Sequence, residues 1–274
     1  AAGIGSDTGG SVRIPAAWND LVGLKTSTGR LTLEGVVPLA LKFDTIGPLT
    51  RSVEDAAQFL ALMEGGKVAD LRGASLKGRR LAVLRTVFLE DTRAVPLAAF
   101  ESAVKRLEAA GAVVDYIDVP EAREAVDLSG LLITSEAYGL WKDVIEANPD
   151  AMYSEILARF RIGANYSAAD YVAGWVKLEA ARAAYDSATA GYDAVIGPSS
   201  AILPPNLERL NTEEDYYITE NLLSLRNTRV GNMLGLCGLT LPTGTPSCGI
   251  MFLCAPDLEE HLLRIGAAAE AALV

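Results

Sequence analysis

Hydrophobic and polar positions follow two periods along this chain, one typical of strands and one typical of helices. Short apolar runs bounded by loop residues predict strands. The predicted strands are 22–25, 81–84, 112–119, 193–196, 239–241 and 250–253. Stretches with apolar residues three and four positions apart predict helices. The predicted helices are a short one from Ser11, then 52–65, 95–110, several within 121–190, one through 222–236 and one that closes the chain.

Polar residues and a glycine mark the ends of several predicted helices. Ser52 is followed three residues later by Asp55, and Ser167 by Asp170, so that each serine can cap a helix. Gly111 predicts the end of the helix before it. A strand, a helix and a strand then follow one another, which is typical of a unit with two parallel strands. The alternation along the whole chain predicts an α/β fold with a mixed sheet covered by helices.

Two segments are predicted as loops. Residues 1–10 are small and rich in glycine, and residues 26–51 contain glycine and proline at short intervals. The chain does not begin with methionine, and its most distinctive motif stands at its start. We therefore expect it to be a piece of a longer protein.

Composition narrows the function classes. Of the 274 residues, 50% are hydrophobic and 22% are charged, which is typical of a globular protein with a sizeable core. The net charge of −11 argues against a nucleic-acid partner, and the short basic cluster at 77–80 is interpreted as a solvated turn. No apolar run reaches the roughly 18 to 20 residues that cross a bilayer, and no leader opens the chain. We expect a soluble, cytoplasmic protein without membrane contact.

Cysteine and histidine counts limit the chemistry further. Cys237, Cys248 and Cys254 are odd in number and lack CxxC spacing, so neither a disulfide framework nor a zinc site is indicated. His261 is the one histidine and lies in a Leu-rich, Glu-flanked helical segment, where a surface position is expected. Multi-histidine metal sites are excluded in this chain, and no metal or organic cofactor is predicted.

The glycine-rich segment before Ser11 is the strongest candidate for chemistry. A dinucleotide-binding turn would need glycine at Thr8, and a phosphate loop would need a following Gly-Lys-Ser/Thr, so both interpretations fail. A tight turn between core elements is the structural alternative. Gly9 and Gly10 before a helix have a more specific use, because converging N–H groups bind an oxyanion while Ser11 supplies a nucleophile. Serine needs a base, and with one histidine a neutral lysine is the obvious candidate.

Five ordered blocks lie within residues 3–52. They are GIGSDTGGSVRIPAA at 3–17, VGLK at 22–25, TGR at 28–30, GVVP at 35–38 and FDTIGPLTRS at 43–52. Together they closely resemble the amidase signature family, and residues 194–198 and 232–249 fit its C-terminal portion more loosely. The resemblance implies a mixed, mostly parallel central sheet covered by helices on both faces. Residues 1–274 would be a single domain of this fold without its N-terminal, lysine-bearing part.

The resemblance assigns roles to the glycine-rich segment. It implies that Ser11 is the nucleophile. It also implies that the backbone N–H groups of Thr8, Gly9 and Gly10, with that of Ser11, are the oxyanion donors. The family's base is a lysine that acts through a second serine, and both belong to motifs upstream of residue 1.

Other positions are compared with the family in the same way. Lys25 matches a structural family position, and Lys42 matches no catalytic one. Thr26 replaces a usual proline, and residues 242–249 are a compact version of a longer segment, which changes the expected loop shape and pocket.

Substrate contacts are expected from loops within 121–215. Tyr138, Trp141 and Trp175 are candidates for an aromatic wall, with helix packing as the alternative.

The resemblance implies hydrolysis of a carboxylic amide to an acid and ammonia or an amine through an acyl-enzyme on Ser11. A small-molecule amide is the implied substrate, and a homodimer is a compatible assembly. The amidase component of a tRNA-dependent amidotransferase is an alternative that uses the same residues, although 159–171 lack the fuller helical motif expected there. A catalytically inert binding scaffold is the expectation if the 274 residues are the whole molecule, because the serine then has no base.

Overall fold

A computed structural model describes residues 2–273, in which eight strands form one sheet. The strands are β1 (Gly3–Asp7), β2 (Val22–Lys25), β3 (Thr45–Thr50), β4 (Arg80–Leu84), β5 (Val113–Ile117), β6 (Ala194–Pro198), β7 (Cys237–Pro242) and β8 (Gly249–Cys254). Their order in the sheet is β1-β3-β2-β7-β8-β6-β4-β5. The six strands predicted from apolar runs are all present, with ends within two residues of the prediction.

The strand directions differ from the expectation. β4 runs parallel to β5, as the strand-helix-strand unit predicts, and parallel to β6. The other five neighbouring pairs are antiparallel. The α/β class and the mixed sheet are confirmed, whereas the expected majority of parallel pairs is not. For β7 and β8 the reason is that a parallel pair needs a long crossover, while these two strands are joined by a short connection and form a hairpin.

Two strands were not predicted, because glycine and proline made their segments resemble loops. β1 pairs with β3 along its whole length, with Gly5 opposite Gly47. A Cβ on Gly47 would lie 1.8 Å from the Leu24 carbonyl oxygen, so only glycine allows β2 and β3 to approach this closely. Strand pairing here overrides the local residue preference.

Ten α-helices surround the sheet in the described range. They are α1 (Arg13–Trp18), α2 (Val53–Glu64), α3 (Ala94–Ala109), α4 (Pro120–Asp127), α5 (Ser129–Ala147), α6 (Ser154–Ile162), α7 (Ala168–Thr189), α8 (Leu207–Thr212), α9 (Glu214–Met233) and α10 (Glu259–Leu273). The two predicted serine caps are confirmed, because Ser52 accepts a hydrogen bond from Asp55 N and Ser167 forms a reciprocal box with Asp170.

The sheet carries a hydrophobic core on each face. Helices α2, α3 and α10 cover one face, and α4, α5, α7 and α9 cover the other. In β4, Leu81 and Val83 belong to the first core, while Ala82 and Leu84 belong to the second. This alternation follows from the two-residue period of a strand. Helices on both faces are thus confirmed.

Candidate active site

A cavity of about 610 Å³ lies in front of the glycine-rich loop that joins β1 to α1. Ser11 is exposed and lines this cleft, as do the predicted donors Thr8 and Gly9. The rest of the lining comes from α1, α5, α6, α9 and Leu39. It consists of Ile14, Pro15, Trp18, Leu39, Ile133, Thr134, Ala137, Ile156, Arg159, Phe160, Asn221, Ser224, Leu225 and Arg229. Most of these side chains are apolar, so the cleft is suited to a small organic molecule.

The carboxylate of Asp7 organises the loop from behind. Asp7 ends β1, and its two oxygens accept hydrogen bonds from Gly10 N at 2.8 Å and Val12 N at 3.2 Å. Helix α1 begins at Arg13, two residues later than predicted, so Ser11 stands in the turn before the helix. Its side chain is therefore presented to the cleft by a turn that a buried side chain fixes.

Asp7 also belongs to a fully buried cluster of polar side chains. Arg13 donates to it from Nε at 3.1 Å and from Nη2 at 2.9 Å, and Asn232 donates at 2.9 Å. Burial by itself would raise the Asp7 pKa. The charge of Arg13, the hydrogen bonds from Arg13 and Asn232 and the more distant charge of Lys25 lower it to about 2. The carboxylate is thus ionised at neutral pH, where it accepts the hydrogen bonds that anchor the loop.

Gly10 has a structural part in this turn that the sequence did not show. Its φ is +136°, and a Cβ there would lie 2.1 Å from Thr228 Oγ1. Because its N–H donates to Asp7, that group is engaged and is not free for an oxyanion. Within residues 2–273, the N–H groups of Thr8, Gly9 and Ser11 donate no hydrogen bond. The N–H groups of Thr8, Gly9 and Ser11 are thus unengaged, whereas that of Gly10 is not.

Two threonines fix the loop from either side. Thr8 Oγ1 donates to Asp44, whose other oxygen accepts from the backbone of Leu39 at 2.8 Å. Thr228 Oγ1 on α9 donates to the Gly9 carbonyl at 2.7 Å. The loop is thus tied to the neighbouring loop that ends at β3 and to helix α9.

The lysines and the histidine considered from the sequence lie outside the cleft lining. Lys25 is fully buried and donates to the carbonyl oxygens of Thr26 at 3.0 Å and Leu236 at 2.8 Å. Burial, and then the Arg13 charge, lower its pKa to about 8, although Asp7 acts in the opposite sense. Lys42 is exposed beside an aromatic ring. These contacts give Lys25 a structural role, which agrees with the family position that it matches.

His261 lies on α10, as the sequence predicts, with Nε2 at 3.2 Å from the Asp193 carbonyl oxygen. The described lining of the cleft contains no histidine, lysine, aspartate or glutamate. The described residues thus place no proton acceptor of these types beside Ser11.

Two arginines in the lining were not singled out from the sequence. Arg229 lies on α9, eight residues after Asn221, so both are on the same helix face. Arg159 lies near the end of α6. Burial and the nearby charge of Arg159 lower the Arg229 pKa to about 10. The helical spacing of Asn221, Leu225 and Arg229 was the one available signal, but it does not show which face meets the loop.

The aromatic part of the cleft also differs from the expectation. Tyr138, Trp141 and Trp175 do not line it, and Trp175 packs against the core between the helices and the sheet. Trp18 on α1 and Phe160 on α6 provide the aromatic surface instead. Trp175 is thus a packing residue, which is the alternative that the sequence leaves open for all three candidates.

Among residues 2–273, no group of three or more His, Cys, Asp or Glu side chains is placed to hold a metal ion. None of the described helices combines the length and the hydropathy that a bilayer span requires.

Comparison with known proteins supports the resemblance noted for residues 3–52 and extends it over most of the chain. A family model described as Amidase matches residues 1–263. A 2-amino-5-chloromuconic acid deaminase from Comamonas testosteroni is 32% identical over 276 residues, covering 98% of this chain and 60% of the relative. A glutamyl-tRNA(Gln) amidotransferase subunit from Ligilactobacillus salivarius (strain UCC118) is 30% identical over 310 residues, covering 98% of this chain and 63% of the relative.

A solved structure shows that the likeness extends to the fold. The crystal structure of an amidase superimposes on 100% of this chain with a TM-score of 0.86 and 27% identity, and the match covers 63% of that protein. This chain thus spans about three fifths of the length of the proteins it matches.

Proposed function

The chain belongs to the amidase family, and on that premise we propose that the protein hydrolyses a carboxylic amide through an acyl-enzyme on Ser11. The single observation that carries the proposal is the position of Ser11. It is exposed at the cleft, in a turn whose neighbouring N–H groups are free and whose scaffold is a buried ion pair. A turn that only joins core elements has no need of such an arrangement.

The geometry supports the following steps. Ser11 Oγ attacks the amide carbonyl carbon and loses its proton to a base. The N–H groups of Thr8, Gly9 and Ser11 stabilise the negative oxygen of the tetrahedral intermediate. The C–N bond breaks, the nitrogen takes up a proton, and ammonia or an amine leaves. Water then attacks the ester on Ser11, which releases the acid and restores the hydroxyl.

We propose that the base is a lysine acting through a second serine, both upstream of residue 1. The support is the family to which the chain belongs and the lack of any histidine, lysine or carboxylate in the described lining of the cleft. Residues 1–274 are then part of a single domain, which agrees with two hydrophobic cores that share one sheet. No metal or organic cofactor enters the proposed reaction.

Labelling of the full-length protein with a fluorophosphonate probe tests the nucleophile. We expect Ser11→Ala to abolish labelling and to lower kcat by roughly 10⁴-fold or more, because alanine has no hydroxyl group to form the acyl-enzyme. Ser6→Ala is the matched control, since Ser6 is exposed on β1 a few residues earlier. Labelling of Ser11→Ala equal to that of the parent protein would show that the assignment is wrong.

A role as the amidase component of a tRNA-dependent amidotransferase is the second candidate, favoured by the relative from Ligilactobacillus salivarius. We rank it lower because the Comamonas testosteroni relative, which is slightly more identical, is named for 2-amino-5-chloromuconic acid, a small molecule. Purification of the full-length protein from its host with stoichiometric partner proteins would reverse the ranking. The same purification, followed by sedimentation and cell fractionation, tests two remaining predictions, a homodimer and a cytoplasmic location.

A further inference from the structure

The cleft contains two positive charges that no described acidic residue balances. Arg159 and Arg229 both line it together with Ser11. Within residues 2–273 neither guanidinium group forms an ion pair, and burial and Arg159 are what shift the Arg229 pKa. Arg161, two residues after Arg159 on the same helix, contrasts with them because it pairs with Glu146 at 2.7 Å. The two helices thus present unpaired guanidinium groups to the cleft, whereas the neighbouring Arg161 is neutralised by Glu146.

Arg229 lies directly against the proposed oxyanion loop. A Cβ placed on Gly9 would lie 3.8 Å from Arg229 Cγ and 4.0 Å from its Nε. The guanidinium group is thus beside the turn that presents Ser11, on the wall formed by α9. A ligand group bound to Arg229 would lie only a few bonds from a carbonyl carbon under attack by Ser11.

The surroundings make these charges costly without an anion. Much of the lining is apolar and includes Ile133, Ile156 and Leu225, which offer no hydrogen-bond acceptor. A pKa of about 10 leaves Arg229 protonated at neutral pH, so the protein does not remove the cost by losing the proton. Two neighbouring guanidinium groups are suited to binding a planar carboxylate with paired hydrogen bonds.

This inference rests on the proposed function and specifies its substrate. We propose that the scissile amide is part of a short anionic molecule whose carboxylate binds to Arg229 and Arg159 while Ser11 attacks the amide carbonyl. The two arginines are specificity-determining residues: they hold the far end of the substrate and take no part in proton transfer. The apolar walls contact the carbon skeleton between the two ends.

Paired substrates test this in the full-length protein. Malonamate, succinamate and glutaramate are compared with propionamide, butyramide and valeramide, in which a methyl group replaces the carboxylate. We expect kcat/KM for the best anionic amide to exceed that of its neutral partner by roughly 10- to 100-fold, as for a hydrogen bond to a charged group. Equal kcat/KM within each of the three pairs overturns the inference and leaves the proposed amide hydrolysis standing.

Substitutions then identify the side chains responsible. Arg229→Gln and Arg159→Gln should each raise KM for the preferred anionic amide about 10-fold or more, with a smaller change in kcat and little change for its neutral partner. Arg161→Gln is the matched control and should leave the preference intact, because its charge is paired on the surface. An equal loss for the anionic and the neutral amide in Arg229→Gln would mean that this residue only supports the loop, which overturns the inference.

Binding to a Ser11→Ala background separates this inference from the proposed function. Calorimetry should detect at least one of the three anionic amides and none of the neutral ones, and adding Arg229→Gln should weaken that binding at least about 10-fold. Binding of this kind to a protein whose parent hydrolyses no amide would retain the carboxylate site and reject the amidase. Failure to bind any of the three anionic amides would reject the carboxylate site alone.

Discussion

The glycine-rich loop has paired charge behind it and unpaired charge in front of it. Behind it, Asp7 and Arg13 are both fully buried and are joined by hydrogen bonds at 2.9 and 3.1 Å. In front of it, Arg159 and Arg229 face the cleft with no described acidic partner. Both regions contain guanidinium groups, fully buried in the first and partly buried in the second, but only in the first is the charge paired with a carboxylate.

The difference indicates what each region is for. A buried pair whose hydrogen bonds are satisfied holds the backbone in one conformation, and removing either partner is costly. Uncompensated charge in a cleft gives little to the fold and is available to a ligand. The scaffold of the loop should therefore respond to mutation through stability, and the cleft through substrate affinity.

The largest expected effect comes from breaking the pair behind the loop. Asp7→Ala leaves Arg13 buried without a carboxylate and releases the N–H groups of Gly10 and Val12. We expect a loss of about 3 to 5 kcal/mol in the free energy of unfolding, measured by urea denaturation. Asp7→Asn should lose less stability, since it keeps a hydrogen-bond acceptor. This variant can still be measured if the alanine variant does not fold.

Glu146→Gln provides the control for this substitution. It removes a partner from the exposed pair with Arg161, and we expect a change of about 0 to 1 kcal/mol. If Asp7→Ala changed stability as little as Glu146→Gln does, the buried pair would not be the scaffold of the loop.

A smaller effect is expected from crowding the same loop without changing its charge. Gly10→Ala places a methyl group 2.1 Å from Thr228 Oγ1 at a φ of +136°. The combined clash and backbone strain should destabilise the protein by about 2 to 4 kcal/mol, measured by urea denaturation. Gly29→Ala is matched in having a positive φ, +82°, but has open space around it, so we expect about 1 kcal/mol there. Equal losses of stability in the two alanine variants would show that the contact with Thr228 does not account for the effect of Gly10→Ala.

Lys25 is a third kind of charged group, intermediate between these two regions. It is a fully buried cation, but it donates to neutral carbonyl oxygens and not to a carboxylate. Burial first, and then the Arg13 charge, lower its pKa from 10.5 to about 8 in the folded state. Between pH 8 and 10.5 the folded protein has lost this proton while the unfolded chain still binds it. The Lys25 contribution should therefore become more favourable as the pH rises through this window, by on the order of 2 to 3 kcal/mol.

The measurement is the free energy of unfolding at pH 7.5 and pH 10.5 in the parent protein and in Lys25→Met. Other groups titrate in this range, so the difference between the two proteins is the quantity that reports on Lys25. We expect the difference in free energy of unfolding between the two proteins to shift in favour of the parent as the pH rises. The exposed Lys42→Met should follow the parent at both pH values, and identical pH profiles for all three proteins would contradict the assigned pKa.

Much of the fold could be predicted because its signals are local. Six strands with apolar runs and both serine caps were found where the sequence predicts them. The order and direction of the strands could not be predicted from local signals. Residues far apart in the chain decide, for example, that β7 lies beside β2. β1 and β3 were missed because their glycines and Pro48 are typical of loops, although Gly47 is required by the close approach of β2 to β3.

The candidate site divides in the same way. The motif around Ser11 identified the loop, and the structure places Thr8, Gly9 and Ser11 at the cleft. The engagement of the Gly10 N–H by Asp7 could not be predicted from composition or spacing, because it depends on side-chain geometry within the turn.

By itself, the sequence determined the class of fold, the position of the glycine-rich loop and the family. These depend on the order and periodicity of residues along the chain. Only the tertiary structure decided which N–H groups of that loop are free, and that Arg159 of α6 and Arg229 of α9 line the same cleft in front of it. The physical reason is that charge balance depends on distances in space, and these two arginines are 70 positions apart in the chain.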